Sequence, residues 1–152
     1  MKTFYFELNS RHRNKGNSFI LKIYDNIMEN ISNIIDDLSI ASLENSINLA
    51  AVAVISDEGK ILFQTENFDL RNNTSFVFEV LQGKEAFIVN NLDFKVDIVN
   101  EDAVFCSNTQ GMGHIVLTPY QGGAILAFAM PNADLSKIVP FLQPFVKRLN
   151  AL

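Results

Sequence analysis

Three stretches of this chain, "AAVAVIS" from Ala50, "HIVLTPY" from His114 and "GAILAFAM" from Gly123, are of strand length and lack the apolar-polar alternation of a half-exposed strand. A strand with no polar face has to be covered on both sides, so these runs demand a sheet sandwiched between two layers. The first is followed by "DEGK" and a fourth run, "KILFQT"; the Glu58-Gly59 centre suits a tight turn because glycine takes positive φ freely. Gly122-Gly123 separates the other two runs in the same way. The chain therefore carries two hairpins near the middle of a sheet.

Helices supply the cover. Ile20, Ile23, Ile27, Ile31, Ile34 and Leu38 step by three or four residues, predicting a helix about 30 Å long with Ser18 as its cap. Asp25, Glu29, Asn30, Asn33, Asp36 and Asp37 form its polar side, while Phe19, Tyr24, Met28 and Ile35 widen the apolar stripe enough for a core and a partner helix together. A short helical turn is expected in "SIASLENSI". A second helix is expected in "NNTSFVFEVLQGK", capped by Thr74 or Ser75 and stopped by Gly83. "EAFIVN" and "DAVFCS" follow as strands, with "NLDFKVDIVNE" between them as a strand or an ordered crossover. Leu135, Ile138, Leu142, Phe145 and Leu149 predict a last helix, capped by Asn132 or Asp134. Pro140 and Pro144 inside it predict a kink or split near Val139. At the other end, Phe4, Phe6 and Leu8 alternate as in a short strand, before a polar loop with Arg11, His12, Arg13 and Lys15. The expectation is one domain over 1–152, with strand and loop in 1–17 and the body in 18–152. Its class is α/β of the α+β type: a central antiparallel sheet of about five or six strands with helices on its faces.

Composition narrows the function classes. A formal charge of −5 argues against generic nucleic-acid binding and against an anionic membrane surface, both of which need clustered Lys and Arg. Cys106 is the only cysteine, which excludes an intrachain disulfide and suits a reducing cytoplasm. Neither a secretory signal nor an apolar run of ~20 residues is visible, so a soluble cytoplasmic protein is expected.

The stretch Ser107–Leu126 looks most like a site, with four of the seven glycines and His114. Its Gly111 and Gly113 lead into a strand, whereas a phosphate loop must open a helix, and the third glycine and the Gly-Lys-Ser/Thr ending are both missing. Cys106 and His114 are the one possible thiol-imidazole pair. If Ser107 pairs with His114 across the turn, the two face opposite sides of the sheet; a slip of one residue sets them side by side. No ligand spacing for a metal is present. Asp57, Glu58, Asp93, Asp97, Glu101 and Asp102 read as solvated turn carboxylates.

From about Ile20 to Leu149 the chain resembles a GAF sensory domain, through "AAVAVISDEGKILF", "FEVLQGKEAFIVNN" and "GHIVLTPYQGGAILAFAM". The general plan is one that GAF, PAS and profilin-like folds share. "AVAVISDEGKILF" and "ILAFAMPNADLSKIVPFLQPFVKRL" also resemble the roadblock dynein light chain family, although the long second helix of that family is poorly matched here. The GAF resemblance implies a non-catalytic regulatory domain that binds a small ligand or dimerises to control a partner. By analogy of place its pocket is lined by Phe87, Val89, Phe94, Phe105, His114, Val116 and Tyr120. The expected homodimer joins through the first and last helices, at Phe19, Ile23, Ile27, Ile31, Phe145 and Leu149. No cofactor or metal is expected. The alternatives are a roadblock-type homodimeric scaffold for a small GTPase or a motor, and a small enzyme using His114 and Cys106.

Overall fold

A computed structural model describes residues 15–65, 69–70 and 73–152, with side chains from residue 18 onward. The strand expected at Phe4, Phe6 and Leu8 and the loop through Arg13 lie outside the described residues. Helix α1 spans Lys15–Glu44, 30 residues or about 45 Å. It starts before Ser18, which therefore lies inside the helix, and it absorbs the turn expected in "SIASLENSI". Residues with positive φ, Ser46 and Asn48, reverse the chain after it.

Strands β1 (Leu49–Ser56) and β2 (Ile61–Gln64) form the first hairpin, with Gly59 at φ 83° in its turn. Helix α2 covers Ser75–Leu81. Thr74 stands at its cap position, yet its hydroxyl does not cap: it donates to the Gly59 carbonyl at 2.7 Å and ties the helix to the hairpin turn. Strands β3 (Ala86–Val89), β4 (Leu92–Val99), β5 (Val104–Asn108), β6 (His114–Tyr120) and β7 (Gly123–Ala129) follow, then helix α3 (Leu135–Asn150). Among the described residues the sheet has seven strands in the order β2-β1-β7-β6-β5-β4-β3, with every pairing antiparallel. It exceeds the expected five or six because "NLDFKVDIVNE" is a full strand, β4, rather than a crossover.

Residues Ala51–Ile55 are buried on both faces, as their composition required, because β1 lies inside the sheet between β2 and β7. On one face α1 and α3 pack over β1, β7 and β6 through Ile35, Leu38, Val54, Ile125, Ile138 and Leu142, all fully buried. On the other, α2 and Leu70 cover Ile55, Leu126, Ile115 and Cys106. There Phe76 stacks on Phe87 at 4.9 Å, Phe87 on Phe94 at 5.4 Å, and Phe94 meets Phe128 edge-on at 6.2 Å. Gly123 is where β7 approaches β1 most closely: a Cβ would run into the Ile55 carbonyl oxygen.

The split expected in the last helix does not occur. Pro140 and Pro144 lie four residues apart and are both exposed, so the carbonyls they leave without an N–H partner belong to the solvent side of α3. Asp134 caps the helix, accepting from the Ser136 N–H at 3.1 Å and the Ser136 hydroxyl at 2.6 Å. Arg148 of α3 pairs with Asp37 of α1 at 2.8 Å.

Candidate functional site

The two long helices cover only part of their face of the sheet. They lie over β2, β1, β7 and β6, and the side chains that β3 and β4 direct to the same side are exposed. Cross-strand pairing shows what this bare strip presents, because residues directly opposite each other share a face. One row runs Ala86, Lys95, Ser107, His114 and then Ala129 under α3. The next runs Ile98, Phe105, Val116 and Ala127, entering the core as it goes. Ile88 and Asp93 lie on the far side of the first row. The strip is thus a polar band beside an apolar one.

A β-bulge shapes the apolar band. The register of β4 against β5 shifts between Val96, which faces Cys106, and Ile98, which faces Phe105, so Asp97 is an extra residue in β4. Asp97 reaches Lys95 at 4.0 Å. At the end of the strip, Asn108 organises the β5–β6 turn. Its Nδ2 donates to the Asp93 carbonyl at 2.9 Å, and its Oδ1 accepts from the Gln110 and Met112 N–H groups at 3.0 Å each. No pattern marked Asn108 in the sequence beyond a polar residue at a strand end. The broken alternation across Val96, Asp97 and Ile98 was the available signal for the bulge.

The residues expected to line one pocket are divided between the faces. Phe87, Val89 and Phe94 belong to the core under α2, whereas Phe105, Val116 and Tyr120 pack against the core under α1 and α3. His114 shares the face of Val116, two residues along β6. A cleft of about 580 Å³ does open at the β3 end, lined by Phe76, Glu79, Lys84, Phe87, Ile88 and Phe94 among others, and it shares only Phe87 and Phe94 with the expected set. Of the residues expected at a dimer contact, Ile31, Phe145 and Leu149 are buried within the chain where α1 meets α3. Phe19, Ile23 and Ile27 remain exposed on α1.

The register also decides the thiol-imidazole pair. Ser107 pairs with His114 and Cys106 with Ile115, which sends the Cys106 and His114 side chains to opposite faces. Burial, and then the negative charge of Asp97, push the Cys106 thiol up to about 12, so it stays protonated at neutral pH. Among the described residues no helix is long and apolar enough to cross a membrane.

No family model matches the chain. It is 28% identical to Loki profilin-2 of Lokiarchaeum sp. (strain GC14_75), over 80% of this chain and 96% of that protein. It is 32% identical to Odin profilin of Odinarchaeota yellowstonii (strain LCB_4), over 57% of this chain and 73% of the relative. Among solved structures, LokiProfilin1 in complex with rabbit actin superposes with a TM-score of 0.69 at 28% identity, over 81% of this chain and 96% of that one. LokiProfilin2 in complex with rabbit actin gives 0.70 at 27%, over 80% and 96%.

These relatives overturn the GAF and roadblock resemblances, and with them the ligand sensor and the GTPase or motor scaffold. The hairpins behind both resemblances are common to many antiparallel sheets. Where the roadblock family has its long second helix, the described residues between 69 and 108 hold one short helix and three strands in the order β5-β4-β3. The homodimer falls as well: two of the structural neighbours are solved with actin, and half of the residues assigned to that interface are core. Profilins are not enzymes, which disposes of the His114 and Cys106 alternative on independent grounds. With a shared fold along nearly the whole of the Loki relatives and 32% identity over most of the Odin one, this chain belongs to the profilin family.

Proposed function

We propose that this protein binds actin monomers through the bare strip of its sheet and, by holding them, controls how much actin is free to assemble. The observation that carries this reading is the likeness to two profilins solved in complex with rabbit actin, at TM-scores of 0.69 and 0.70 over 96% of each. The strip supports it physically. It is a continuous face of main-chain-bonded strands, rigid on its own, with an apolar band beside a polar one, as a protein interface requires. An actin-binding role also implies a cytoplasmic setting.

The test is titration of rabbit actin monomers with the protein, read by calorimetry and by the rate of actin assembly. Saturable binding is expected, together with slowed assembly. Reversing charge in the polar band with Lys95→Glu and Ser107→Arg together is expected to weaken binding at least tenfold, by setting a clash and an unpaired charge in the interface. Lys22→Glu, on the exposed side of α1, is expected to leave it unchanged. A parent protein that neither binds actin monomers nor alters assembly would refute the reading.

A further inference from the structure

The bulge in β4 decides which of two adjacent apolar side chains meets a partner. Ile98 and Val99 are 55% and 68% exposed, an unusual pair at the end of one strand. Under strict alternation from Val96, which lies on the α2 side opposite Cys106, Ile98 would share that side and Val99 would face the strip. The extra residue Asp97 reverses this. Ile98 now stands opposite Phe105 on the strip, and Val99 stands opposite Val104 on the α2 side.

Position then separates Ile98 from the exposed isoleucine of β3. Ile88 sits on β3, the last strand of the sheet, and is paired with Asp93. Ile98 instead abuts half-buried Phe105, whose own neighbour Val116 is fully buried, so the apolar band runs without interruption from Ile98 into the core. A partner side chain set against Ile98 would be backed by a rigid apolar wall. The charged pair Lys95–Asp97 lies alongside. Desolvated apolar contact surrounded by a polar rim is the arrangement in which interface energy concentrates.

We propose that Ile98, turned onto the bare strip by the Asp97 bulge and backed by Phe105, is the apolar anchor of the docking surface. This rests on the actin-binding reading, and its partner contact is an apolar side chain of the actin monomer. Ile98→Asp and Ile98→Ser are to be titrated against rabbit actin monomers beside the parent and Val99→Asp, with thermal melting to establish that each is folded. Both Ile98 variants are expected to weaken binding, the aspartate by about 30-fold or more, and Val99→Asp by less than about 3-fold. If the aspartate variant does not fold, the serine variant decides. A parent that binds actin while the Ile98 variants bind equally well overturns the anchor and leaves the actin reading standing. Loss with Val99→Asp comparable to that with Ile98→Asp overturns it too, because the contact would then lie on the other face or on both. A parent that binds no actin removes both inferences together.

Discussion

The two halves of one sheet face have opposite duties. Over β1, β7 and β6, side chains such as Val54, Ile125 and Val116 are sealed under α1 and α3, and β-branched and aliphatic residues predominate. Over β5, β4 and β3 the same face turns polar and mixed, with Ser107, Lys95, Asp93 and Ala86 among its positions. Nothing in the backbone distinguishes the halves, since hydrogen bonding continues through all seven strands. What differs is whether a helix lies above, and the composition follows that cover. The covered half supplies stability and the bare half supplies a surface.

This contrast can be broken most sharply by truncation. Leu142→Ala, at the buried centre of α3, is expected to cost about 2–5 kcal/mol in urea unfolding, the usual range for a buried leucine that leaves a cavity. Lys95→Ala in the bare half is expected to stay within about 0.5 kcal/mol. Equal losses would mean that the strip is structural rather than a docking face. A smaller effect is expected where the bare half is itself organised. Asn108→Ala removes three hydrogen bonds around a buried side chain and should cost about 1–3 kcal/mol, with faster amide exchange at Gln110 and Met112.

The covered half also contains an imperfection. Among the described residues the Thr118 hydroxyl, fully buried, has no hydrogen-bond partner. Thr118→Val is therefore expected to leave stability unchanged or raise it by about 1 kcal/mol; a loss of that size would show that the hydroxyl is satisfied. The smallest effect belongs to the start of α3. Hydrogen bonds from the Ser136 hydroxyl and N–H hold the Asp134 carboxyl below its ordinary range. A carboxylate whose pKa is lowered by folding contributes stability that is complete above its unfolded pKa and fades as pH falls through the folded one. Fraying of α3 should thus set in as pH falls through the usual carboxylate range and be complete only below the lowered pKa, and Asp134→Ala should abolish that dependence in amide exchange of the first turn.

Much of the fold was legible. The apolar runs of β1, β6 and β7, the stepping isoleucines of α1, and the glycines at both hairpin turns led to the architecture that is observed. Two departures from the expected structure have local causes. A proline breaks a helix where the carbonyl it leaves unpaired is buried, but at Pro140 and Pro144 the affected carbonyls face water, which can satisfy them. Place along the chain does not define a pocket, because side chains on neighbouring strands share a face only when their register makes them do so. Phe94 and Phe105 illustrate this: Phe94 is fully buried and Phe105 half-buried on the same hairpin, and they pack into different cores.

Sequence alone determined which segments must be buried and which must turn, because apolar periodicity and glycine conformation are properties of a few neighbouring residues. Tertiary structure alone decided where the cover ends. The length of α1 and the seat of α3 set the covered area, the β5–β6 register turns His114 away from Cys106, and the one-residue bulge at Asp97 puts Ile98 rather than Val99 on the strip. Those outcomes depend on register between distant strands, and a shift of a single residue exchanges the two faces of a sheet.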